Sequence, residues 1–126
     1  MRRMLIVDDE RDICDCLQQY FSAHGFTVSA AFSGEEALER LKEDTADIIL
    51  LDILLPGLSG IEVLKHIRHV QPEARIIMVS GLDHPDVRAQ AHYYGAEAYI
   101  TKPFDFSDAT WSAVFADPSA ERPTRI

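Results

Sequence analysis

Five short apolar runs recur along the chain, each followed by polar or turn-forming residues. One of them, Ile48 to Leu51, shows no alternation between apolar and polar residues, which is typical of a strand buried on both faces of a parallel sheet. It ends on Asp52, and a turn rich in proline, glycine and serine follows at once. The other runs predict strands over residues 4–7, 26–31, 75–79 and 98–101.

Amphipathic segments separate these strands. Apolar residues recur at helical spacing over residues 11–24, and Gly25 follows as a left-handed residue that ends a helix. Capping boxes at 33–36 and 59–62 predict helices through about residues 41 and 70, and a further helix is predicted over 85–94. The predicted buried stripes are Ile13, Cys16, Leu17, Tyr20 and Phe21 in the first helix, and Ile61, Leu64, Ile67 and Val70 in the third.

A last helix is predicted after residue 104, with a thin apolar stripe. Its core-facing residues would be Phe106, Ala109 and Ala113 or Val114, with either Asp105 or Ser107 as its N-cap. Residues 117–126 contain two prolines and predict a disordered tail, so the folded domain is expected over residues 1–116.

Strands that alternate with helices form a βα repeat, which predicts an α/β domain with a parallel sheet covered on both faces. The net charge of −9 argues against direct binding to nucleic acid or to an anionic membrane, since both require a basic surface. Cys14 and Cys16 are two residues apart in a helix and point to different faces, so no disulfide is expected. With no signal peptide visible, these features favour the cytoplasm.

Chemically capable residues follow four of the five strands: Asp8 and Asp9, Asp52, Ser80, and Lys102. Because the carboxyl ends of parallel strands share one edge, these side chains are expected to converge on one site. Carboxylates crowded together repel one another, and a hard divalent cation such as Mg²⁺ relieves that repulsion. Such a site favours a phosphoryl ligand, with Lys102 as a second cation and Ser80 as a neutral donor.

The sequence resembles the receiver domain of bacterial two-component response regulators, chemotaxis regulators among them. The resemblance covers roughly residues 4–104 and implies a doubly wound, flavodoxin-like sandwich of three layers with strand order 2-1-3-4-5. It is carried by five segments in order: Val7-Asp8-Asp9, Asp52 with Leu55-Pro56 and Gly60, Val79-Ser80-Gly81, Gly95-Ala96, and Tyr99-Ile100-Thr101-Lys102-Pro103-Phe104.

The resemblance also implies a role for each matching residue. Asp52 would be the phosphoacceptor. Asp8 and Asp9 would hold Mg²⁺ (or Mn²⁺) together with Asp52 and the backbone carbonyl of Leu54, with Asp9 as the more direct ligand of the acidic pair. Lys102 would pair with the phosphoryl group, Ser80 and Tyr99 would form a switch pair, and the bond before Pro103 would be cis. Two of these residues also have a purely structural interpretation: Ser80 could be a turn residue, and Tyr99 could simply pack against its neighbours.

The implied function is a phosphorylation-activated signalling switch rather than a turnover enzyme. The phosphoryl donor would be a sensor histidine kinase or a histidine phosphotransfer protein, and the output would be a downstream effector or a fused output domain. Whether the chain acts alone, as a piece of a larger regulator or as a homodimer stays open. The alternatives are a phosphatase with an aspartate nucleophile, whose general acid is missing after Asp52, and a flavin- or nucleotide-binding domain, whose phosphate would be repelled by the acidic loop at residues 8–10.

Overall fold

Strands and helices alternate without exception along residues 2–116, the part of the chain that the computed structural model describes. The predicted tail, residues 117–126, lies outside the described residues. The elements are β1 (Arg3–Val7), α1 (Arg11–Ala23), β2 (Thr27–Ala31), α2 (Gly34–Glu43), β3 (Ile48–Leu51), α3 (Gly60–Val70), β4 (Arg75–Ser80), α4 (Pro85–Tyr93), β5 (Ala96–Thr101) and α5 (Asp108–Phe115).

The strands form one parallel sheet in the order β2-β1-β3-β4-β5, which confirms the fold predicted from the sequence. The register matters for the site because Val7, the last residue of β1, pairs with Leu51, the last residue of β3. Asp8 and Asp52 follow these two residues directly. The sheet therefore delivers both carboxylates to neighbouring positions on the same edge.

Two hydrophobic clusters cover the two faces of the sheet. Along β3, Ile49 and Leu51 pack into the cluster beneath α2, α3 and α4, while Ile48 and Leu50 pack into the cluster beneath α1 and α5. This arrangement confirms that the uniformly apolar run is buried on both faces. None of the helices within residues 2–116 has the length and apolar character needed to cross a bilayer.

The buried face of α1 differs from the predicted one. Cys14, expected at the edge of the stripe, is fully buried, and Cys16, expected in the core, is exposed. The buried residues of α1 are Cys14, Leu17 and Phe21, and the Cys14 thiol donates a hydrogen bond to the carbonyl oxygen of Asp8 at 3.3 Å. The short loop after β1 sets the rotation of the helix about its axis. The spacing of apolar residues alone does not predict that rotation.

The two thiols are expected to differ sharply in reactivity. At pH 8 a thiol reagent such as iodoacetamide should modify Cys16 in the folded protein and leave Cys14 unmodified, because Cys14 is buried and burial raises the pKa of its thiol to about 12. Mass spectrometry of the folded and urea-unfolded protein measures this as one adduct against two. The Cys16→Ser variant should show no adduct while folded, and an adduct on it would contradict the assignment.

Val70 is also exposed, although the sequence pattern placed it on the buried stripe of α3. It follows Ile61 by nine residues, which is about two and a half helical turns, so the two side chains point to opposite sides. Val63, which lies outside the predicted stripe, is buried, and its side chain lies against Gly34 at the start of α2.

Helix α5 is short, and part of its anchoring comes from outside the predicted stripe. Ala109 is exposed, contrary to expectation, whereas Val114 is buried as predicted, and Trp111, which lies outside the predicted stripe, is buried too. Ser107 is the N-cap, and its hydroxyl accepts a hydrogen bond from the Thr110 N–H at 3.2 Å. At the other end the Arg75 guanidinium donates to carbonyl oxygens of the last turn, including that of Ala116 at 3.0 Å. A side chain from β4 thus satisfies the carbonyls that end this helix.

Candidate functional site

The site lies at the carboxyl edge of the sheet, where β1 and β3 end. The N–H of Asp8 donates to the carbonyl of Ala31 at 3.1 Å, and the N–H of Asp52 donates to the carbonyl of Val7 at 3.0 Å. These bonds continue the strand ladder by one residue and fix both backbones. Both aspartates are buried, although charged side chains are seldom buried unless they are paired.

Lys102 pairs with this acidic cluster from the end of β5. Its Nζ lies 2.7 Å from Asp8 Oδ2, 3.0 Å from Asp52 Oδ2 and 2.8 Å from Glu10 Oε1. Burial alone would lower the pKa of the ammonium, but the hydrogen bonds to the three carboxylates outweigh burial and raise it. Lys102 therefore stays cationic at neutral pH. Its backbone N–H donates to the carbonyl of Ser80 at 2.9 Å, which ties it to β4.

One cation does not balance the three carboxylates. Oxygen atoms of Asp8, Glu10 and Asp52 all lie within 4.8 Å of one another. Burial raises the pKa of the Asp8 carboxyl, and the hydrogen bonds from Lys102 and from the Glu10 N–H only partly oppose that rise. A compact set of hard oxygen donors with excess negative charge fits Mg²⁺, which prefers carboxylates and water.

The other predicted metal ligands, Asp9 and the carbonyl of Leu54, belong to the loops that follow β1 and β3. Asp9 is exposed on the first of these loops and is not one of the three clustered carboxylates. Leu54 contacts Asp52 through its N–H, which donates to Oδ1 at 3.1 Å. Glu10 is not among the predicted site residues, although it directly follows the acidic pair. Its position next to the acidic pair was the one sign in the sequence that Glu10 could belong to the site. The sequence does not show which residues of the loop at 8–10 turn towards Lys102.

Ser80 and Tyr99 lie next to each other beside this cluster. Ser80 is fully buried, and its hydroxyl accepts a hydrogen bond from the Leu82 N–H at 3.2 Å. The Tyr99 hydroxyl donates to the carbonyl of Leu82. Burial raises the pKa of the Tyr99 phenol, and a hydrogen bond with Ser80 partly opposes the rise. The bond between Lys102 and Pro103 is cis, as expected.

Gly60 lets helix α3 begin close behind Asp52. A Cβ atom at this position would lie 2.0 Å from the carbonyl oxygen of Asp52 and 2.6 Å from the Cα of Ile53. The Gly60 N–H donates to the carbonyl of Ile53 at 2.8 Å, which closes the loop after β3. No other residue type fits this approach without moving the backbone that carries Asp52.

Comparison with known families decides what kind of site this is. Residues 4–111 match the model of the response regulator receiver domain, and this span includes every residue of the cluster. The chain belongs to this family. The resemblance noted in the sequence is thereby confirmed, and the function of the chain is that of a phosphorylation-activated switch domain. The alternative of a phosphatase finds no support.

Individual relatives agree with this assignment. The transcriptional regulatory protein DltR of Streptococcus agalactiae is 37% identical over 103 residues, which make up 82% of this chain and 46% of DltR. The chain thus spans about half the length of this curated relative. A CheY-like receiver domain protein from Methanospirillum hungatei is 31% identical, with a TM-score of 0.85 over 90% of this chain and 91% of that one. The response regulator TrrA of Thermotoga maritima, solved in complex with Mg²⁺-BeF, is 32% identical, with a TM-score of 0.80 over 90% of this chain and 97% of that one.

Proposed function

We propose that Asp52 accepts a phosphoryl group from a phosphohistidine and that this event changes which partner the domain binds. The observation that carries the proposal is the ion pair between the buried Asp52 carboxylate and the partly buried Lys102 ammonium, 3.0 Å apart at the carboxyl edge of the sheet. A nucleophilic carboxylate and a fixed cation there supply the two things phosphoryl transfer needs, positioning and charge neutralisation.

The proposed transfer step makes use of this geometry. A carboxylate oxygen of Asp52 attacks phosphorus, so an O–P bond forms. The P–N bond of the phosphohistidine breaks, and its electron pair returns to the imidazole nitrogen. The N–H of Leu54 and the ammonium of Lys102 hold the two Asp52 oxygens in fixed directions. The carboxylate therefore needs little reorganisation before it reacts.

The proposed metal ligands are the carboxylates of Asp8, Asp9 and Asp52 with the carbonyl of Leu54, and Mg²⁺ (or Mn²⁺) would supply charge neutralisation at the phosphoryl oxygens. Support comes from the clustered oxygens of Asp8, Glu10 and Asp52, and from the Mg²⁺-BeF complex of TrrA. Asp9 would have to turn inward from its exposed position to take part.

The proposed switch uses Ser80 and Tyr99. The Ser80 hydroxyl would bond a phosphoryl oxygen, and the Tyr99 ring would then move towards the space behind it. Their hydrogen-bonded arrangement with Leu82 supports this coupling, because Ser80 cannot move without disturbing bonds to the loop that carries Leu82.

The proposed partners are a sensor histidine kinase or a histidine phosphotransfer protein on the donor side, and a downstream effector or a fused output domain on the receiving side. The likeness to DltR, a transcriptional regulatory protein longer than this chain, supports an output outside the receiver domain. We place the reaction in the cytoplasm, which suits a chain with the free thiols of Cys14 and Cys16.

Intact mass spectrometry after incubation with acetyl phosphate and Mg²⁺ tests the assignment of Asp52. The wild-type protein should gain the mass of one phosphoryl group, and Asp52→Asn should gain none, because an amide cannot act as the nucleophile. Chelation of Mg²⁺ should suppress the gain in the wild type.

The Asp86→Asn variant is a matched control, because it removes an exposed carboxylate from the first turn of α4. It should be phosphorylated like the wild type. A mass gain in Asp52→Asn, or no gain in any of the proteins, would refute the proposed function.

A further inference from the structure

The ammonium group of Lys102 has all of its donors in use. An ammonium carries three N–H donors and no acceptor. Nζ lies 2.7 Å from an oxygen of Asp8, 2.8 Å from one of Glu10 and 3.0 Å from one of Asp52, so one carboxylate oxygen matches each N–H. If Lys102 is to bind a phosphoryl oxygen, as the proposed function requires, one of these three contacts has to open.

The three contacts differ in what opening them would expose. The side chains of Asp8 and Asp52 are 3% and 4% exposed, whereas that of Glu10 is 58% exposed. A buried carboxylate that loses its cation stays poorly solvated, which is strongly unfavourable. The Glu10 carboxylate would instead be hydrated by bulk water, so its contact is the least costly of the three to open.

The backbone of Glu10 allows this movement as well. Glu10 is the N-cap residue of α1, but its side chain makes no capping hydrogen bond there. The helix begins through the backbone carbonyl of Glu10, which accepts from the Cys14 N–H at 3.1 Å. The carboxylate can therefore leave Lys102 without disturbing α1.

We propose that Glu10 is a positioning residue that acts through Lys102: it holds the third N–H of the ammonium in the unphosphorylated protein and yields it to the phosphoryl group. This inference rests on the proposed function of Asp52. Because the contact stabilises the state before transfer, Glu10 slows the phosphorylation of Asp52.

Phosphorylation rates of four proteins test this role. The rate with acetyl phosphate is measured by intact mass at a Mg²⁺ concentration that saturates each protein. Differences in metal affinity between the variants then do not affect the measured rates. Glu10→Ala, which removes the contact, should react about two- to fivefold faster than wild type, the scale of one partly exposed ion pair. Glu10→Asp keeps the charge but is one methylene too short, and it should also react faster. Asp12→Asn removes an exposed charge from the first turn of α1 and should match wild type.

The ammonium itself gives a readout that a purely structural role would leave unchanged. The chain contains three lysines, Lys42, Lys65 and Lys102, so ¹⁵N labelling of lysine gives a simple spectrum of the Nζ groups. Glu10→Ala should shift the Lys102 resonance and leave the other two in place. Glu39→Ala removes an equally short contact, 2.8 Å to Lys42, and should shift only the Lys42 resonance.

The possible results distinguish the role of Glu10 from the proposed phosphorylation of Asp52 on which it rests. If wild type is phosphorylated on Asp52 but Glu10→Ala is no faster at saturating Mg²⁺, the role of Glu10 is wrong and the proposed function stands. A rate increase in Asp12→Asn as large as in Glu10→Ala would also overturn the role, because charge alone would then explain it. If Asp52 is not phosphorylated in the wild type, both fail together.

Discussion

Replacing Lys102 with methionine should slow phosphorylation of Asp52 by about a hundredfold or more, because it removes a preorganised charge at the reacting group. The same change should lower the free energy of unfolding by about 3 kcal/mol in the absence of divalent cations, since it leaves Asp8 and Asp52 buried without a counter-charge. Methionine keeps an unbranched apolar side chain of nearly the same length, so lost packing contributes little. Urea unfolding in the presence of a chelator measures the stability.

Adding Mg²⁺ should restore part of this stability, because a cation that binds only the folded state shifts the equilibrium towards it. Lys42→Met provides the control, since Lys42 is exposed and pairs with Glu39 on the surface of α2. It should unfold like the wild type with and without Mg²⁺. Equal stability of the two variants under both conditions would show that Lys102 does not balance the buried carboxylates.

Replacing Trp111 with alanine should lower the free energy of unfolding by about 3–5 kcal/mol, as is usual for a large aromatic side chain removed from a core. Trp111 is fully buried and meets Phe21 and Phe104 edge to face, with ring centroids 5.2 and 5.1 Å away. Its Nε1–H donates to the carbonyl of Asp105 at 2.6 Å. The variant therefore loses both the packing of α5 and a bond to the segment before that helix, and urea unfolding measures the loss.

Two further variants divide this effect. Trp111→Phe keeps an aromatic ring but leaves the Asp105 carbonyl without its donor, and should lose about 1–2 kcal/mol. Tyr93→Ala truncates an aromatic side chain that is 81% exposed, and should change stability by no more than about 0.5 kcal/mol. Should Trp111→Ala unfold like Tyr93→Ala, α5 would not be anchored through Trp111.

The sequence by itself determined the sheet and the residues at its carboxyl edge. Uninterrupted apolar runs predict buried parallel strands, and the residue after each run must lie at the strand end whatever the rest of the chain does. That local rule predicts that Asp8, Asp52 and Lys102 lie close together. The structure confirms their convergence with contacts of 2.7 and 3.0 Å to Nζ of Lys102.

Only the tertiary structure decided how helices and loops face that framework. The rotation of α1 buries Cys14 instead of Cys16, and the conformation of the loop at residues 8–10 turns Glu10 towards Lys102. Helix α5 owes its place to Trp111 and to Arg75, whose guanidinium reaches the Ala116 carbonyl from 41 residues away in sequence. Spacing patterns describe one element at a time. The rotation of a helix, the direction of a loop side chain and a long-range helix cap all depend on which other element packs against them. That choice is made only when the elements pack against one another.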